Sequence, residues 1–403
     1  DLIEAAQEIG DRLVAGAITD DEHVCWLGLS LVREQVWQVG PAMMDMFNGL
    51  SGIALFLGRL GEVTGRTRYR PAAERAVRTM TAQLDAFASL PPHHREVVRP
   101  ITGVGAFGDL GSPIYALAHL SRLWDRQDLA ERAAHLLPAL VPALRDDTGL
   151  DVLGGAAGAA LVCLSLAAVY DDPLVSRLID LASDRLVATT EKSEGGLALR
   201  ADGNPARPLA GFSHGASGIA TALARIDRFR GTRRHEHLVR EALAFEDSVF
   251  DPLWGNWADR RTVSEGAPPM IAWCHGAGGI GLARVDLIGY LDDDLLSTDL
   301  DRAFTSVEST RVSEGIGVGN DCLCHGDTGN IETLRHIAAN TNDGARAKIA
   351  GDAVNTVLAR AHSRGWSCGV PLGVETPGLM PGLAGIGYAL LRWALPDEVP
   401  SPL

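Results

Sequence analysis

Aromatic residues and cysteines are scarce in this sequence, and several common catalytic motifs are missing from it. Aromatic side chains make up 5% of the 403 residues, too few to favour an aromatic-lined sugar cleft. The six cysteines are irregularly spread and do not form the framework of a small disulfide-rich secreted protein. No Walker loop, Gly-x-Ser-x-Gly elbow or kinase motif set is present. The sequence therefore does not encode ATP chemistry.

Positive charge is also in deficit, which limits the partners that the chain can bind. The net charge of -15 disfavours nucleic acid phosphates and anionic lipid, so no nucleic acid partner is expected. No cationic, apolar leader opens the chain, so we predict a protein of the reducing cytoplasm. Residues 153–170 are uncharged, but their glycine and alanine content, with Asp171 and Asp172 directly after them, favours a buried helix over a membrane span.

The dominant pattern in the sequence is a recurring Gly-x-x-Gly element followed by a run of small apolar residues. It occurs seven times, and the first glycines are Gly49, Gly108, Gly155, Gly215, Gly276, Gly326 and Gly382. Between them lie amphipathic segments such as residues 70–90, with few strand signals beyond residues 24–39. The pattern predicts an all-α fold, an α/α toroid of seven units with apolar helices inside and charged helices outside. Residues just before each glycine pair are expected at one common mouth of the ring.

Two of these turns carry a cysteine and a histidine together. Cys274-His275 precedes Gly276, and Cys324-His325 precedes Gly326. Thiolates beside imidazoles suit zinc, and three protein ligands leave a fourth position open for a substrate. We predict Cys274, Cys324 and His325 as zinc ligands. The competing interpretation is that they are buried apolar cysteines.

Three further residues share this mouth in the predicted ring. His214 has the same register without a cysteine, which favours an acid–base role over a structural one. Asp151 lies four residues before Gly155, where it either orients His214 or caps a helix. His275 is interpreted as a general acid, a support for the ligands or a structural residue. Cys322 is a weaker alternative ligand because its register is wrong.

At these residues the chain resembles the lanthipeptide cyclase family, and most closely the C-terminal cyclase domain of class II lanthipeptide synthetases. The resemblance extends over nearly the whole chain and includes the segments DVLGGAAG, GFSHGASGIA, WCHGAGGIGLAR and CLCHGDTGN. It implies a seven-unit α/α toroid, zinc held by Cys274, Cys324 and His325, and catalysis by His214 and Asp151. It also implies addition of peptide cysteine thiols to dehydroalanine or dehydrobutyrine. The expected partner is a dehydrated precursor peptide with its leader.

The chain departs from that family in two respects. Stand-alone cyclases often have Tyr where this chain has His275, so the role of that Tyr cannot be transferred. Class II synthetases also have a large N-terminal dehydratase domain, which 403 residues cannot hold. Since the sequence opens at Asp1 within an amphipathic stretch, we expect residues 1–403 to form one cyclase domain, excised from a longer synthetase or acting as a stand-alone relative.

Three function classes follow from these observations. The leading hypothesis is a zinc-dependent carbon–sulfur bond-forming cyclase. The second is a non-catalytic, zinc-bearing module that binds glutathione or a cysteine peptide. The third is an α/α-toroid glycosidase, which the low aromatic content and the Cys-His set disfavour.

Overall fold

A computed structural model of the chain describes residues 1–33, 36–90, 103–108, 110–188, 190–193, 196–199, 208–261, 268–291 and 294–402. In the first third of the chain the helices and strands are α1 (Leu2–Ala15), β1 (Ile18–Thr19), β2 (Val24–Cys25), β3 (Leu27–Arg33), β4 (Val36–Pro41), α2 (Leu50–Thr64), α3 (Tyr69–Ala88), α4 (Gly111–Trp124), α5 (Gln127–Ala134) and α6 (Leu137–Arg145). The remainder contains α7 (Ala156–Ala167), α8 (Pro173–Ala188), β5 (Thr190–Ser193), β6 (Gly196–Leu199), α9 (Ala216–Arg230), α10 (Glu236–Ser248), β7 (Phe250–Asp251), β8 (Asn256–Trp257), α11 (Ala277–Leu287), α12 (Asp294–Glu308), α13 (Asp327–Thr341), α14 (Gly344–Arg364) and α15 (Leu383–Ala394). Within these ranges the strands form four separate antiparallel pairs, β1 with β2, β3 with β4, β5 with β6 and β7 with β8.

The helices form two concentric layers. The inner helices α2, α4, α7, α9, α11, α13 and α15 contact one another in that order, and α15 contacts α2, which closes the ring. Each inner helix also contacts an outer one, namely α3, α5, α8, α10, α12, α14 and, for α15, α1. The predicted all-α fold and its double ring of helices are confirmed. The sevenfold sequence repeat itself stays an interpretation of the sequence.

Helix bounds agree with the sequence patterns at most positions. Helix α3 occupies the amphipathic stretch predicted over residues 70–90, and α7 lies within the uncharged stretch 153–170. In the described ranges, no helix is both long and apolar enough to cross a membrane. The second inner helix differs from expectation. It begins at Gly111, the second glycine of its element, and Leu110 is the residue before it. In the other elements the helix begins directly after the first glycine.

The second glycine of each element allows a close approach between a helix and the turn before it. A Cβ atom on Gly279 would lie 2.0 Å from the carbonyl oxygen of Trp273, and one on Gly329 would lie 2.1 Å from that of Leu323. Any side chain would therefore push the helix away from its own turn. This contact explains why the Gly-x-x-Gly spacing recurs.

Backbone hydrogen bonds join the turns at the N-terminal ends of the inner helices into a closed circle. Each turn donates an amide to a carbonyl of a neighbouring turn, and the last turn bonds to the first. The bonds run from Phe47 N to Phe107 O, Phe107 N to Leu153 O, Val152 N to Ser213 O, Ser213 N to Cys274 O, Trp273 N to Cys324 O, Cys324 N to Met380 O and Met380 N to Phe47 O, all between 2.9 and 3.4 Å. This circle fixes the residues of one mouth relative to one another.

Candidate active site

Residues predicted from distant parts of the chain meet on adjacent turns of that circle. The turns that carry Asp151, His214, Cys274 and Cys324 precede α7, α9, α11 and α13, which are consecutive in the inner ring. Each turn is bonded to the next through its backbone. The structure therefore brings all the predicted site residues to one mouth, as the sequence register required.

Cys274 and Cys324 are both buried, on adjacent turns of the circle. Interaction with the side chain of Cys324 is the main cause of a lowered pKa at Cys274, and the charges of Arg261 and His214 act in the same direction. The same interaction, together with burial, raises the pKa of Cys324 well above its usual range. The pair thus favours one thiolate supported by one thiol.

His325 lies beside this pair and is fixed from two sides. Its Nε2 is 3.2 Å from the carbonyl oxygen of Gly369, and its backbone amide donates to the sulfur of Cys322 over 3.4 Å. Burial lowers the pKa of His325, which favours the neutral imidazole that metal coordination requires. Because Nε2 is engaged by a carbonyl oxygen, Nδ1 is the nitrogen that a metal ion would take.

The donor types of Cys274, Cys324 and His325 agree with the predicted zinc, although their side chains are not close enough to one another to form a metal site. Two sulfurs and one imidazole are the donor types that zinc prefers. Within the described ranges, no group of three or more His, Cys, Asp or Glu side chains is close enough to hold a metal ion. Cys274 and Cys324 lie on adjacent turns, while Nε2 of His325 is bonded to the carbonyl oxygen of Gly369. Zinc binding by these residues therefore stays a prediction.

His214 and Asp151 form a hydrogen-bonded pair at the edge of the site. Nδ1 of His214 lies 2.6 Å from Oδ2 of Asp151, and since a carboxylate only accepts, Nδ1 carries the hydrogen. The other carboxylate oxygen accepts the amide of Gly154 at 2.7 Å, so Asp151 both terminates its turn and orients His214. The side chain of His214 is 33% exposed, and its Nε2 is the nitrogen available for proton transfer.

His275 is placed differently from His214. It is only 3% exposed, and its ring stacks on that of His214 with centroids 5.6 Å apart. Burial, followed by the positive charge of Arg261, lowers the pKa of His275 to about 3, while a hydrogen bond with the backbone of Ala210 opposes the shift. This position favours support of the His214 ring over donation of a proton.

Two charged residues that the sequence-based prediction does not name form an ion pair in the segment before the Cys274 turn. Arg261 forms a bidentate ion pair with Asp259, with Nη2 2.5 Å from Oδ2 and Nε 2.9 Å from Oδ1. The guanidinium interacts electrostatically with both Cys274 and Cys324. Neither residue belongs to a glycine-bearing turn, so the repeat register gave no signal for them.

The remaining cysteines lie outside the predicted set of zinc ligands. Burial raises the pKa of Cys322 to about 12, and its sulfur accepts the amide hydrogen of His325. Cys163 and Cys368 are buried, and Cys25 is partly exposed. The sulfur of Cys322 therefore stabilises the turn of His325.

A buried ion cluster supports the site from the outer layer. Arg284 on α11 donates to Glu246 on α10 at 2.8 Å and to Asp299 on α12 at 2.9 Å. Glu246 in turn accepts the amides of Gly211 and Ser217, which flank the turn of His214. The cluster fixes the His214 turn relative to the turn that carries Cys274.

A second polar cluster has the connectivity of a hydrolase triad but not the accessibility of one. Ser183 Oγ lies 2.9 Å from Nε2 of His235, and Nδ1 of His235 lies 3.1 Å from Oδ1 of Asp227. All three residues are fully or almost fully buried, so a substrate cannot reach the hydroxyl. Burial lowers the pKa of His235, which agrees with a neutral structural residue.

Comparison with known proteins identifies the family. The family model of lanthionine synthetase C-like proteins matches residues 40–403. The lacticin 481/lactococcin biosynthesis protein LcnDR2 of Lactococcus lactis subsp. lactis is 28% identical over 202 residues, which are 46% of this chain and 20% of that relative. The solved structure of nisin cyclase superposes with a TM-score of 0.64 at 16% identity, over 98% of this chain and 94% of that one. The protein therefore belongs to the lanthionine synthetase C-like family.

Proposed function

We propose that the protein is a zinc-dependent lanthipeptide cyclase. It adds cysteine thiols of a dehydrated precursor peptide to dehydroalanine or dehydrobutyrine residues and forms lanthionine or methyllanthionine thioethers. Family membership supports this assignment, as does the similarity of the fold to that of nisin cyclase. The single observation that carries it is the Asp151–His214 pair, with an available Nε2, on the same circle of turns as Cys274 and Cys324.

Zinc would be held by Cys274, Cys324 and His325. When bound there, zinc supplies a Lewis acid that lowers the pKa of a substrate thiol and leaves it nucleophilic. The two sulfurs balance the charge of the dication, and the carbonyl of Gly369 orients the imidazole through Nε2.

The protein side chains account for the movement of the proton. Nε2 of neutral His214 accepts the proton of the substrate thiol, while Asp151 holds the resulting imidazolium through Nδ1. The sulfur forms a bond to the β-carbon of the dehydro residue, and the electrons of the double bond move onto the α-carbon and carbonyl oxygen. The imidazolium then returns the proton to the α-carbon. Atoms and charge balance without a redox partner or nucleotide.

The reaction needs a dehydrated peptide, and the proposal includes its source. The match to LcnDR2 covers only 20% of that relative, which therefore contains additional regions. We assign the dehydration to an N-terminal dehydratase domain of the full-length protein and the reaction to a reducing compartment, the cytoplasm, where substrate and protein thiols stay free.

The test combines a peptide assay with metal analysis. Purified, zinc-loaded protein is incubated with a dehydrated cysteine peptide, and free thiols are counted by alkylation and mass spectrometry. We expect thiols to disappear without a change in peptide mass. His214→Ala should retain zinc and lose cyclisation, Cys324→Ala should lose zinc, and Cys163→Ala, a buried cysteine of α7, should retain both.

Two outcomes contradict the proposal in different ways. Normal cyclisation by His214→Ala would end the acid–base assignment. Peptide that binds tightly but keeps every thiol reactive would instead support the thiol-binding module. The Asp151–His214 pair favours catalysis over binding alone, because a thiol-binding site needs no oriented base.

A further inference from the structure

The large apolar side chains that remain exposed are concentrated on one side of the protein. Within the described ranges, all but two of them lie in residues 16–49, 249–276, 309–326 and 365–382. These are the connections that lead into α2, α11, α13 and α15, so they belong to the side of the mouth. The two exceptions, Phe229 and Ile288, lie where α9 and α11 end, on the opposite side. Exposed apolar residues that cluster in this way mark an interaction surface.

The four connections are neighbours in the ring. Helices α11, α13, α15 and α2 follow one another around it, and Cys274 and Cys324 lie on the first two of the turns concerned. The exposed apolar side chains of these connections therefore form an arc over four consecutive turns of the mouth, which we call the apolar arc. It begins at the two cysteines and extends away from His214, whose turn precedes α9.

The largest part of the apolar arc is one face of the β3–β4 hairpin. In the register of the two strands, three leucines of β3 stand opposite three apolar residues of β4, namely Leu27 with Pro41, Leu29 with Val39 and Leu31 with Trp37. Opposed residues, and residues two apart on one strand, point to the same side, so these six share one face. Leu27, Leu31 and Val39 are 56%, 54% and 64% exposed. No charged residue occurs in residues 27–32 or 36–41.

The hairpin is attached to the rim between the last turn of the circle and the first. The amide of Leu29 donates to Oγ1 of Thr376 at 3.2 Å, in the connection that leads into α15. Strand β4 continues directly into the first turn, which contains Phe47. On the last turn, the carbonyl oxygen of Met380 accepts the amide of Cys324 at 2.9 Å. The hairpin is therefore only one turn away from the turn of Cys324.

Two further members of the apolar arc stand beside the predicted zinc ligands. Leu372 is 99% exposed, and it follows Gly369, whose carbonyl oxygen lies 3.2 Å from Nε2 of His325. Trp254 is 44% exposed in the loop between β7 and β8. The side chain of Asn256 bonds that loop at 3.0 Å to the backbone on both sides of the turn before α11. A chain bound along the arc therefore passes the turns that carry the cysteines.

The position of the apolar arc favours the reacting peptide as its occupant. A domain or a second copy held permanently on the arc would cover the turns of Cys274 and Cys324, which the proposed reaction needs open to a peptide. The peptide itself must cross the rim to reach those turns. Since the hairpin face carries no charge, the peptide residues that suit it are apolar ones.

We propose that the apolar arc binds apolar side chains next to the reacting cysteine of the precursor peptide, with the β3–β4 face as the main contact. This inference rests on the proposed cyclase function and adds a substrate class to it, peptides with apolar residues beside their ring-forming residues. The contact is the same before and during formation of the carbon–sulfur bond. It therefore lowers KM and leaves kcat unchanged.

The kinetic test uses the zinc-loaded protein and two dehydrated peptides that differ in two positions beside the cysteine, leucine in one and serine in the other. The double variant Leu31→Thr/Val39→Thr keeps the β propensity of the strands. We expect its KM for the leucine peptide to rise about tenfold, from the loss of apolar contact area, with kcat unchanged. Its KM for the serine peptide should change less than about twofold. The matched control, Ile288→Thr, lies on the opposite side and should change neither.

A second measurement separates this inference from the proposed function. Binding of an unreactive leucine peptide, with serine at the dehydro position, is followed by fluorescence anisotropy, and molecular mass by light scattering. Weaker binding by the double variant than by Ile288→Thr supports the proposal. Equal KM and Kd in wild type and double variant overturn it, as does a wild-type dimer that the double variant dissociates without a change in Kd. If wild type binds this peptide but does not cyclise the dehydrated one, the proposed function fails while the binding surface stands.

Discussion

The imidazole rings of His214 and His275 are stacked, with centroids 5.6 Å apart and planes inclined by 25°. Only one of the two rings has direct access to solvent. His214 is 33% exposed and paired with Asp151, whereas His275 is buried and bonded to the backbone of Ala210. In the proposed mechanism, His214 transfers protons and His275 holds the ring of His214 in position.

His275→Phe is expected to keep zinc and to retain cyclisation within about tenfold of the wild-type rate. Phenylalanine preserves a flat ring against His214 and gives up one hydrogen bond, which contributes about 1 kcal/mol. The measurement is the cyclisation rate at saturating peptide, with His214→Phe as the control that should be inactive. If His275→Phe is as inactive as His214→Phe, His275 is itself an essential proton donor.

Much of the site followed from the sequence because its residues share a register. His214, Cys274 and Cys324 each lie one or two residues before a glycine that starts an inner helix, and equivalent positions of a ring meet at one mouth. Arg261 could not be placed in this way. Its position depends on side-chain hydrogen bonds of Asn256, which have no counterpart in the repeat.

The fold shows the same division between regular and irregular features. The apolar runs after each glycine pair predicted the inner helices, but the pairing of α1 with α15 joins the two ends of the sequence and has no local signal. The start of α4 at Gly111 was also missed, since the pattern contains two glycines and does not say which one opens the helix.

Gly369→Ala is expected to weaken zinc binding about 10- to 100-fold. A Cβ atom there would lie 2.7 Å from Nε2 of His325 and 2.5 Å from the sulfur of Cys322, so the imidazole must move. Changes to groups that orient a metal ligand typically cost this much affinity. The measurement is competition with a chromogenic zinc chelator.

The matched control for that variant is Gly351→Ala. Gly351 lies within α14, and a Cβ atom there would have no other atom within 4 Å. Alanine in a helix interior is favoured over glycine by about 0.5–1 kcal/mol, so this variant should be slightly stabilised and keep its zinc affinity. Equal zinc affinities of the two variants would show that Gly369 does not position His325.

Arg284→Met is expected to lower the free energy of unfolding by about 3–5 kcal/mol. The substitution leaves the carboxylates of Glu246 and Asp299 buried without their cation, a change that costs this much in other proteins. Thermal or urea unfolding measures the effect. Arg311→Met is the control, because its ion pair is exposed and should contribute less than about 1 kcal/mol. Equal stabilities would mean that the buried cluster contributes no net stability.

Acidification is expected to destabilise the protein through His119. Burial, with the charges of Arg59 and Arg122, lowers the pKa of His119 from 6.5 to about 4. Between pH 6.5 and pH 4 the unfolded chain binds a proton that the folded protein does not, so stability falls as the pH falls through this range. Each unit of pKa difference corresponds to about 1.4 kcal/mol, which gives a loss of about 3 kcal/mol.

The comparison that isolates His119 uses two glutamine variants. His119→Gln should lose less stability than the wild type between pH 6.5 and pH 4, because the side chain no longer titrates. His362→Gln, at an exposed position of α14, should follow the wild-type pH dependence. Melting temperatures at matched ionic strength provide the measurement, and parallel curves for all three proteins would rule out the assignment.

The closed circle of backbone bonds at the mouth has a consequence for how a peptide must react there. A chain of turns with two loose ends could spread to admit a bulky loop, but this one has no end from which to open. His214, Cys274 and Cys324, which lie on these turns, are consequently expected to keep their separations when a substrate binds. In the proposed reaction, loops of different length are then accommodated by the flexibility of the peptide. That flexibility brings each cysteine sulfur and each dehydro residue to the same site.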